Sequence, residues 1–346
     1  MTAVPVAADR RDGNIGSGRA EDDESRGERV EMLRSYLEKR YQVRIARIER
    51  LDRGVFRVDR EAGGRWVARV FTGARPLERV RGDAEVLRFL EAHDFPAERC
   101  VHQADPVSSA GGWSILVTEF VEGGHPERDE KTMRQLGETL GRLHALPPGS
   151  GLVARDAGAL HHYAPQEGRV RNEIDAARSW LESVEAQVPA QGRSVHASLL
   201  RGIESADDLE GLPDALVHPD PVLKNFLAAA ANARDPFVLI DWTGAGRGPR
   251  LQSIALLTWA GALGDGGWSP ERADAVVDGY RSHARLDRDE GARLAAAMKV
   301  RPLVFACWRY RFAIRAGKVP DGSEWWMPDE KLAEAIASHA RPLLER

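Results

Sequence analysis

One stretch of the chain carries an aspartate and an asparagine inside apolar surroundings, and a second aspartate follows it closely. The stretch reads Val217-His218-Pro219-Asp220-Pro221-Val222-Leu223-Lys224-Asn225-Phe226-Leu227 and contains His-x-Asp-x-x-x-x-Asn. Val238-Leu239-Ile240-Asp241-Trp242 comes next, an apolar run ending in a single carboxylate. Phosphoryl transfer needs few side chains: an aspartate to orient the attacking hydroxyl, and an Asn and an Asp to hold magnesium against the phosphates. Asp220, Asn225 and Asp241 supply that set. The competing reading is a turn rich in Pro and Asp between two strands, with Asp241 as a strand-end residue.

The two segments together resemble the catalytic loop and metal-binding aspartate of the aminoglycoside phosphotransferase family, which shares the protein-kinase fold. The resemblance implies an α+β chain with a small antiparallel-sheet lobe over the nucleotide and a mainly helical second lobe. It implies Asp220 as the catalytic aspartate, Asn225 and Asp241 as Mg2+ ligands, and His218 as a brace of the loop. The family usually reads His-Gly-Asp-Leu at the loop start. Here Pro219 and Pro221 flank Asp220, and each fixes its own φ, which stiffens the loop. The family also opens the next helix with an acid that braces the loop. Ser253 stands at that spacing; it can form a hydrogen bond but supplies no charge.

The elements that must position these residues can be read from spacing. Residues 1–27 mix Gly with Arg, Asp and Glu, bury almost nothing, and read as a disordered tail. Val30, Leu33, Leu37 and Tyr41 share one helical face. Ile45, Ile48 and Leu51 lead into Val55-Phe56-Arg57-Val58, a Gly63-Gly64 turn and Trp66-Val67-Ala68-Arg69-Val70-Phe71, a β-hairpin within an antiparallel sheet. Asp52-Arg53-Gly54 is the place for a loop over phosphates, with Gly54 equally readable as a plain turn glycine. Arg69 shares a strand face with Val67 and Phe71, so an inward guanidinium there needs an anion. On the resemblance, that anion is the α and β phosphates of the nucleotide. The alternative is an edge-strand Arg reaching to solvent.

Residues 76–93 are expected to be helical, with Val80, Asp83, Val86, Leu87 and Leu90 on one face. Asp83 is the inward acid, so the kinase-like arrangement implies an Arg69–Asp83 pair, with Glu85 as the fallback. Trp113 to Gly124 reads as a strand running into a glycine hinge. On the resemblance, backbone groups from Glu119 to Val121 would bond the adenine edge. Met133, Leu136, Leu140 and Leu143 line a helix that Pro147-Pro148 stops, and His144 reads as a packed or capping histidine. The lobe boundary falls between residues 28–121 and 122–346. Helices are expected over 170–188, 195–209, 251–263, 270–284, 287–316 and 329–344, with Pro302 kinking or splitting the fifth. The loop histidines His161 and His162 read as solvent-exposed. Gly244 to Arg250 stands where the fold has its short activation-loop-like segment, with Arg247 or Arg250 free to approach phosphate.

Composition limits the function classes. At 346 residues the chain is long enough for two domains or one two-lobed domain, and a net charge of −4 gives no general drive toward nucleic acid or an anionic membrane. No apolar run approaches about 18 residues, so no membrane span is expected, and no signal pattern opens the chain. Cys100 and Cys307 read as free core thiols, which fits a reducing, cytoplasmic setting. One segment runs against the acidic balance: 299–318 holds six basic residues, no acid, and Phe305, Trp308, Tyr310 and Phe312. It reads as a core helix with Arg at its margins, or as a nucleic-acid face; in an acceptor pocket it would disfavour a polycation. The resulting expectation is transfer of the γ-phosphate of ATP or GTP, with Mg2+, to a hydroxyl of a small molecule, without nucleic acid or membrane as partner. The alternative is a catalytically inactive nucleotide-binding pseudokinase with a regulatory role. Acceptor identity and oligomeric state are left open.

Overall fold

A computed structural model describes residues 21–71, 75–147, 156–157, 169–229, 234–264, 267–318 and 330–345. The chain is α+β and divides into two compact units. Gly124–Ala228 and Gly244–Arg346 form one; the described residues up to Gly123 form the other, together with Ala229–Thr243. In chain order the elements are α1 (Glu21–Tyr41), β1 (Ile45–Asp52), β2 (Val55–Arg60), β3 (Arg65–Phe71), α2 (Leu77–Ala92), β4 (Val107–Ala110) and β5 (Trp113–Glu119). They continue with α3 (Glu130–His144), α4 (Val170–Glu182), α5 (Arg193–Glu204), β6 (Asp214–Val217), β7 (Phe226–Ala228), β8 (Phe237–Leu239) and β9 (Gly246–Pro249). The last are α6 (Arg250–Ala262), α7 (Pro270–Arg281), α8 (Arg288–Ala292), α9 (Leu294–Arg315) and α10 (Glu330–Leu344).

The first unit is built on a five-stranded antiparallel sheet of order β1-β2-β3-β5-β4. Alternation along a strand sends successive side chains to opposite faces, and the two faces of β3 do different work. Trp66 and Ala68 join Val58, Ile115 and Val117 in a cluster covered by Leu33, Leu37 and Tyr41 of α1. Arg69 belongs to the opposite face, with Val67 and Phe71. The helix α1 starts at Glu21, so Glu21 to Gly27 are helical where the sequence pattern suggested a tail; the earlier part of that tail lies outside the described residues. On α2, the buried residues Val80, Asp83, Val86, Leu87 and Leu90 are those the periodicity picks out.

The helical unit is held by close contacts that only glycine permits. A Cβ on Gly279 of α7 would sit 1.8 Å from the Arg134 carbonyl oxygen of α3, and one on Gly137 would sit 2.1 Å from that of Val276. Glycines at these positions let the two backbones meet. His144 ends α3 beside Tyr280 of α7, with Nδ1 3.0 Å from the hydroxyl. Burial pushes its pKa down to about 3, so it is neutral. Cys100 and Cys307 are both free, and burial raises each to about 12.

The helix that Pro302 was expected to kink or split runs unbroken from Leu294 to Arg315, and the interruption falls earlier, at Arg293. There a capping box of Asp287 and Glu290 starts the single-turn α8, fixing where the chain bends. Among the described residues no helix is long and apolar enough to cross a membrane.

Candidate active site

The loop after β6 is built around Asp220. His218 is fully buried, and its Nδ1 accepts the Asp220 backbone N–H at 3.1 Å. Asn225 Nδ2 donates to the Asp220 carbonyl oxygen at 2.7 Å and approaches its carboxylate Oδ2 at 3.3 Å. That leaves the amide oxygen of Asn225 as the atom a cation would meet. Backbone bonds from Val222 to Asp220 and from Asn225 to Val222 close the turn. Lys224 Nζ lies 3.4 Å from Asp220 Oδ2. The carboxylate itself is 35% exposed, so the loop is fixed from beneath while its acid faces outward.

Two side chains from the surrounding helices hold this loop by its carbonyls. Ser253 Oγ of α6 donates to the His218 carbonyl oxygen at 2.9 Å. The serine therefore braces the loop as a neutral donor where the family was expected to use an acid. Arg301 Nη2 of α9 donates to the Pro219 carbonyl oxygen at 3.1 Å. Its charge is met by Glu173 of α4, 3.2 Å away, and both side chains are buried. Sequence reasoning did not assign Arg301 this role. The signal was its place at the head of the basic, aromatic stretch, where a core helix was expected to carry arginines only at its margins.

Arg69 is the centre of a second ionic cluster, in the sheet unit. Its Nη1 donates to Glu98 Oε2 at 2.7 Å, and its Nε lies 3.8 Å from Asp241 Oδ1. Thr118 Oγ1 also donates to Glu98 Oε2, at 3.1 Å, and Glu98 Oε1 accepts the backbone N–H of Asp241 at 2.8 Å. Burial alone would lower the Arg69 pKa, but Glu98 and Asp241 outweigh it and hold it above the ordinary arginine value. Asp241 has φ of 66°, in the left-handed region that aspartate tolerates better than most residues. The Glu98 bond to its N–H fixes that conformation.

The bonded partner of Arg69 is therefore Glu98 rather than Asp83. Asp83 instead takes Arg75 at 2.6 Å and is fully buried, and its charge reaches Arg69 through space. Glu85, the fallback, is exposed on α2. Glu98 was missed because it lies past the end of α2, in Phe95-Pro96-Ala97-Glu98, where no helical spacing points to it. A lone acid between buried Ala97 and Cys100 was the available signal.

The remaining expected residues are placed as follows. Gly54 is the second residue of a two-residue turn between β1 and β2, with φ of 72°. A Cβ there would meet the Val70 carbonyl oxygen at 2.7 Å, so packing against β3 requires glycine whatever else the turn does. In the hinge, the Glu119 N–H bonds Arg99 O at 2.8 Å and the Phe120 N–H bonds Arg65 O at 2.9 Å. The Val121 N–H is outside that ladder. Arg247 and Arg250 are both engaged within the helical unit. Arg247 Nε donates to Asp214 at 2.9 Å, and Arg250 makes a two-point contact with the fully buried Glu290. The loop histidines His161 and His162 lie outside the described residues.

Among the described residues no group of three or more His, Cys, Asp or Glu could hold a metal ion. The candidate donors Asn225 and Asp241 are oxygen donors, the chemistry that suits magnesium, which takes one or two protein carboxylates and completes its shell with phosphate and water.

A small antiparallel sheet bearing a buried strand arginine, together with a helical unit bearing a braced Asp/Asn loop, defines a kinase-like fold. The chain belongs to the phosphotransferase enzyme family, whose model matches residues 44–294. Among solved structures it is similar to amicoumacin kinase hAmiN in complex with AMP-PNP, Ca2+ and Ami, with a TM-score of 0.59 and 14% identity over 93% of this chain and 96% of that one. It is also similar to spectinomycin phosphotransferase APH(9)-Ia in complex with ADP and spectinomycin, with a TM-score of 0.57 and 13% identity over 91% and 98%. A third is choline kinase LicA from Streptococcus pneumoniae, with a TM-score of 0.55 and 11% identity over 90% and 99%. Likeness at these identities establishes the fold. No curated protein sequence matches the chain.

Proposed function

We propose that the protein transfers the γ-phosphate of ATP or GTP to a hydroxyl of a small molecule. Asp220 orients that hydroxyl and accepts its proton. Arg69, held by Glu98, steadies the α and β phosphates. The Val121 N–H bonds the adenine edge, and Asn225 and Asp241 ligate Mg2+ carried in with the nucleotide. The metal would neutralise charge developing on the phosphates. The protein's own part is positioning and charge compensation, which account for most of the barrier lowering in this chemistry.

The observation that carries the reading is the Asp220 loop. Its carbonyls are tied down by Ser253, Arg301 and Asn225, and its carboxylate is left exposed. A loop serving only as a turn would have no use for a buried arginine on a proline carbonyl. Two of the similar structures named above, the amicoumacin kinase and the spectinomycin phosphotransferase, were solved with an ATP analogue or ADP and a small-molecule ligand, which supports the nucleotide and a small-molecule acceptor.

The test is nucleotide consumption by purified protein with Mg2+ and ATP or GTP, against a panel of hydroxylated acceptors. Asp220→Ala should lower acceptor-dependent turnover by about 10²–10⁴-fold, the usual contribution of a positioned proton acceptor, while nucleotide affinity stays near wild type. Unchanged turnover in this variant removes Asp220 from the mechanism. Asp241→Ala should weaken nucleotide binding only when Mg2+ is present.

A further inference from the structure

The Asp220 loop is short of backbone donors. Pro219 and Pro221 have no N–H. The Asp220 N–H is spent on His218 Nδ1, and the Val222 N–H on the Asp220 carbonyl oxygen. From Pro219 to Val222, therefore, no N–H is left for a bracing acid to accept. What this part of the chain offers is carbonyl oxygens, which cost free energy when buried and unmet. Those of His218 and Pro219 are met by donors from two helices, Ser253 Oγ at 2.9 Å and Arg301 Nη2 at 3.1 Å.

These contacts fix two successive peptide planes. The plane between His218 and Pro219 is held at its oxygen by Ser253. The plane between Pro219 and Asp220 is held at both ends, at its oxygen by Arg301 and at its N–H by His218. A peptide is planar, so one held at both ends cannot rotate. The rings of Pro219 and Pro221 fix φ on either side of Asp220. The direction in which the Asp220 side chain leaves the backbone is thereby set. Arg301 divides its donors: Nη2 takes the Pro219 carbonyl, and Nη1 lies 3.2 Å from Glu173. Glu173 stands in the first turn of α4, where the helix amides favour a negative charge. An ion pair that only joined α4 to α9 would not need a loop carbonyl as its third member.

We infer that Pro219, Ser253, Arg301 and Glu173 form one donor brace that positions the Asp220 carboxylate, with Glu173 supplying its negative charge from behind Arg301. All four are positioning residues. The effect on turnover rests on the phosphotransferase reading; the effect on the loop rests on the contacts alone. The brace couples positions 219 and 253. As long as residue 219 is proline, residue 253 must be a donor, because a carboxylate there would face the His218 carbonyl oxygen. Glycine at 219 restores an N–H and frees the backbone. The peptide between 218 and 219 can then turn over and present that N–H to residue 253, so an acid becomes acceptable.

The experiment is a double-variant cycle on the full chain, read by steady-state turnover and by hydrogen exchange at the Asp220 and Val222 amides. Ser253→Asp should lower kcat by about 10–100-fold, the scale of a misplacement of about 1 Å, with nucleotide KM near wild type. Exchange at both amides should quicken by about 10-fold or more as the loop opens locally. In the Pro219→Gly background, Ser253→Asp should cost little by either readout. A Ser253→Asp variant that matches wild type by both readouts overturns the inference, and so does one that Pro219→Gly fails to rescue. Ser253→Ala introduces no charge and should shift both readouts in the same direction by a smaller factor; no shift in either also overturns it. Arg301→Gln should lower kcat with nucleotide KM held, and Arg301→Lys should recover part of the loss. An Arg301→Gln variant that lowers only the thermal midpoint, with kcat and exchange unchanged, makes the pair purely structural and removes it from the brace. Absence of turnover in wild type on every acceptor counts against the phosphotransferase reading, and the exchange rates of the same variants then decide the brace.

Discussion

Two arginines of the sheet unit are buried against carboxylates, and they are buried for different ends. Arg75 and Asp83 meet at 2.6 Å, with side-chain exposures of 3% and 0%, and Arg75 lies over the Phe71 ring. Arg69 and Glu98 meet at 2.7 Å and are nearly as enclosed, at 8% and 3%. The difference lies in what else the acid touches. Both oxygens of Glu98 are in use: Oε2 takes Arg69 and Thr118, and Oε1 takes the N–H of Asp241. A buried ion pair is weak evidence of stability, because desolvating two charges offsets most of their attraction. A pair that also fixes a third group is better explained by what it positions. Glu98 sets the separation and orientation of the strand arginine and the putting-in-place of Asp241 together, and Asp83 has no such link to Asp241 among the hydrogen bonds described.

The largest test of that contrast removes each arginine. Arg69→Met and Arg75→Met each strand a buried carboxylate, which costs about 3–5 kcal/mol in either case. Urea denaturation should show similar losses for the two. Nucleotide binding, measured on the folded fraction at low temperature, should vanish for Arg69→Met and persist for Arg75→Met. Equal loss of binding in both would erase the distinction.

Removing the charge from each acid is the sharper and smaller test. Glu98→Gln keeps shape but supplies one acceptor oxygen where the carboxylate supplies two. If that oxygen stays on the Asp241 N–H, the amide nitrogen faces two donors, Arg69 and Thr118; if it turns, Asp241 loses its bond. Either way one charge-assisted bond goes, worth about 1.5–3 kcal/mol, and the Mg2+ dependence of nucleotide binding should weaken. Asp83→Asn should cost stability on the same scale and leave the nucleotide KM and its Mg2+ dependence near wild type. A shift in Mg2+ dependence with Asp83→Asn would return Asp83 to the role that helical register first suggested for it.

That exchange of partners marks where the sequence is legible. Period-2 and period-3.6 patterns report which residues point inward, and they placed Arg69 and Asp83 on inward faces, as the structure has them. They do not report which inward residues meet. The partner of Arg69 comes from an irregular segment after α2, whose position is set by its bridge to β8, with Ala97 beside Leu239. No local pattern encodes such a contact. Likewise His-x-Asp-x-x-x-x-Asn made the Asp220 loop visible because its bonds are local, Asn225 to Asp220 and Asp220 to His218. The braces from Ser253 and Arg301 are long-range; Ser253 was found by family spacing and Arg301 was not found. Pro302 shows the same limit from the other side. A proline inside a helix is a local signal for a break, yet buried packing of Met298, Leu303 and Val304 around it carries α9 through.

The smallest expected effect belongs to Thr118, and it decides whether Glu98 acts alone or through a network. Thr118 is fully buried on β5, donates to Glu98 Oε2, and lies 3.4 Å from Arg69 Nη1. Thr118→Val is close to isosteric and removes the donor to Glu98 and a long, weak acceptor of Arg69, while keeping both charges and the Asp241 bond. The loss should be about 1 kcal/mol, that of an ordinary hydrogen bond, seen as a lower thermal midpoint with nucleotide KM changed by less than a few-fold. If Thr118→Val instead weakens nucleotide binding as much as Glu98→Gln does, the two side chains are coupled, and a double variant should then add little to either single one. In that case the contrast with Arg75–Asp83 is one between a lone pair and a cooperative cluster, and Glu98 is one member of the cluster. If Thr118→Val costs only its own hydrogen bond, positioning rests on the two oxygens of Glu98, one on the strand arginine and one on the backbone of Asp241.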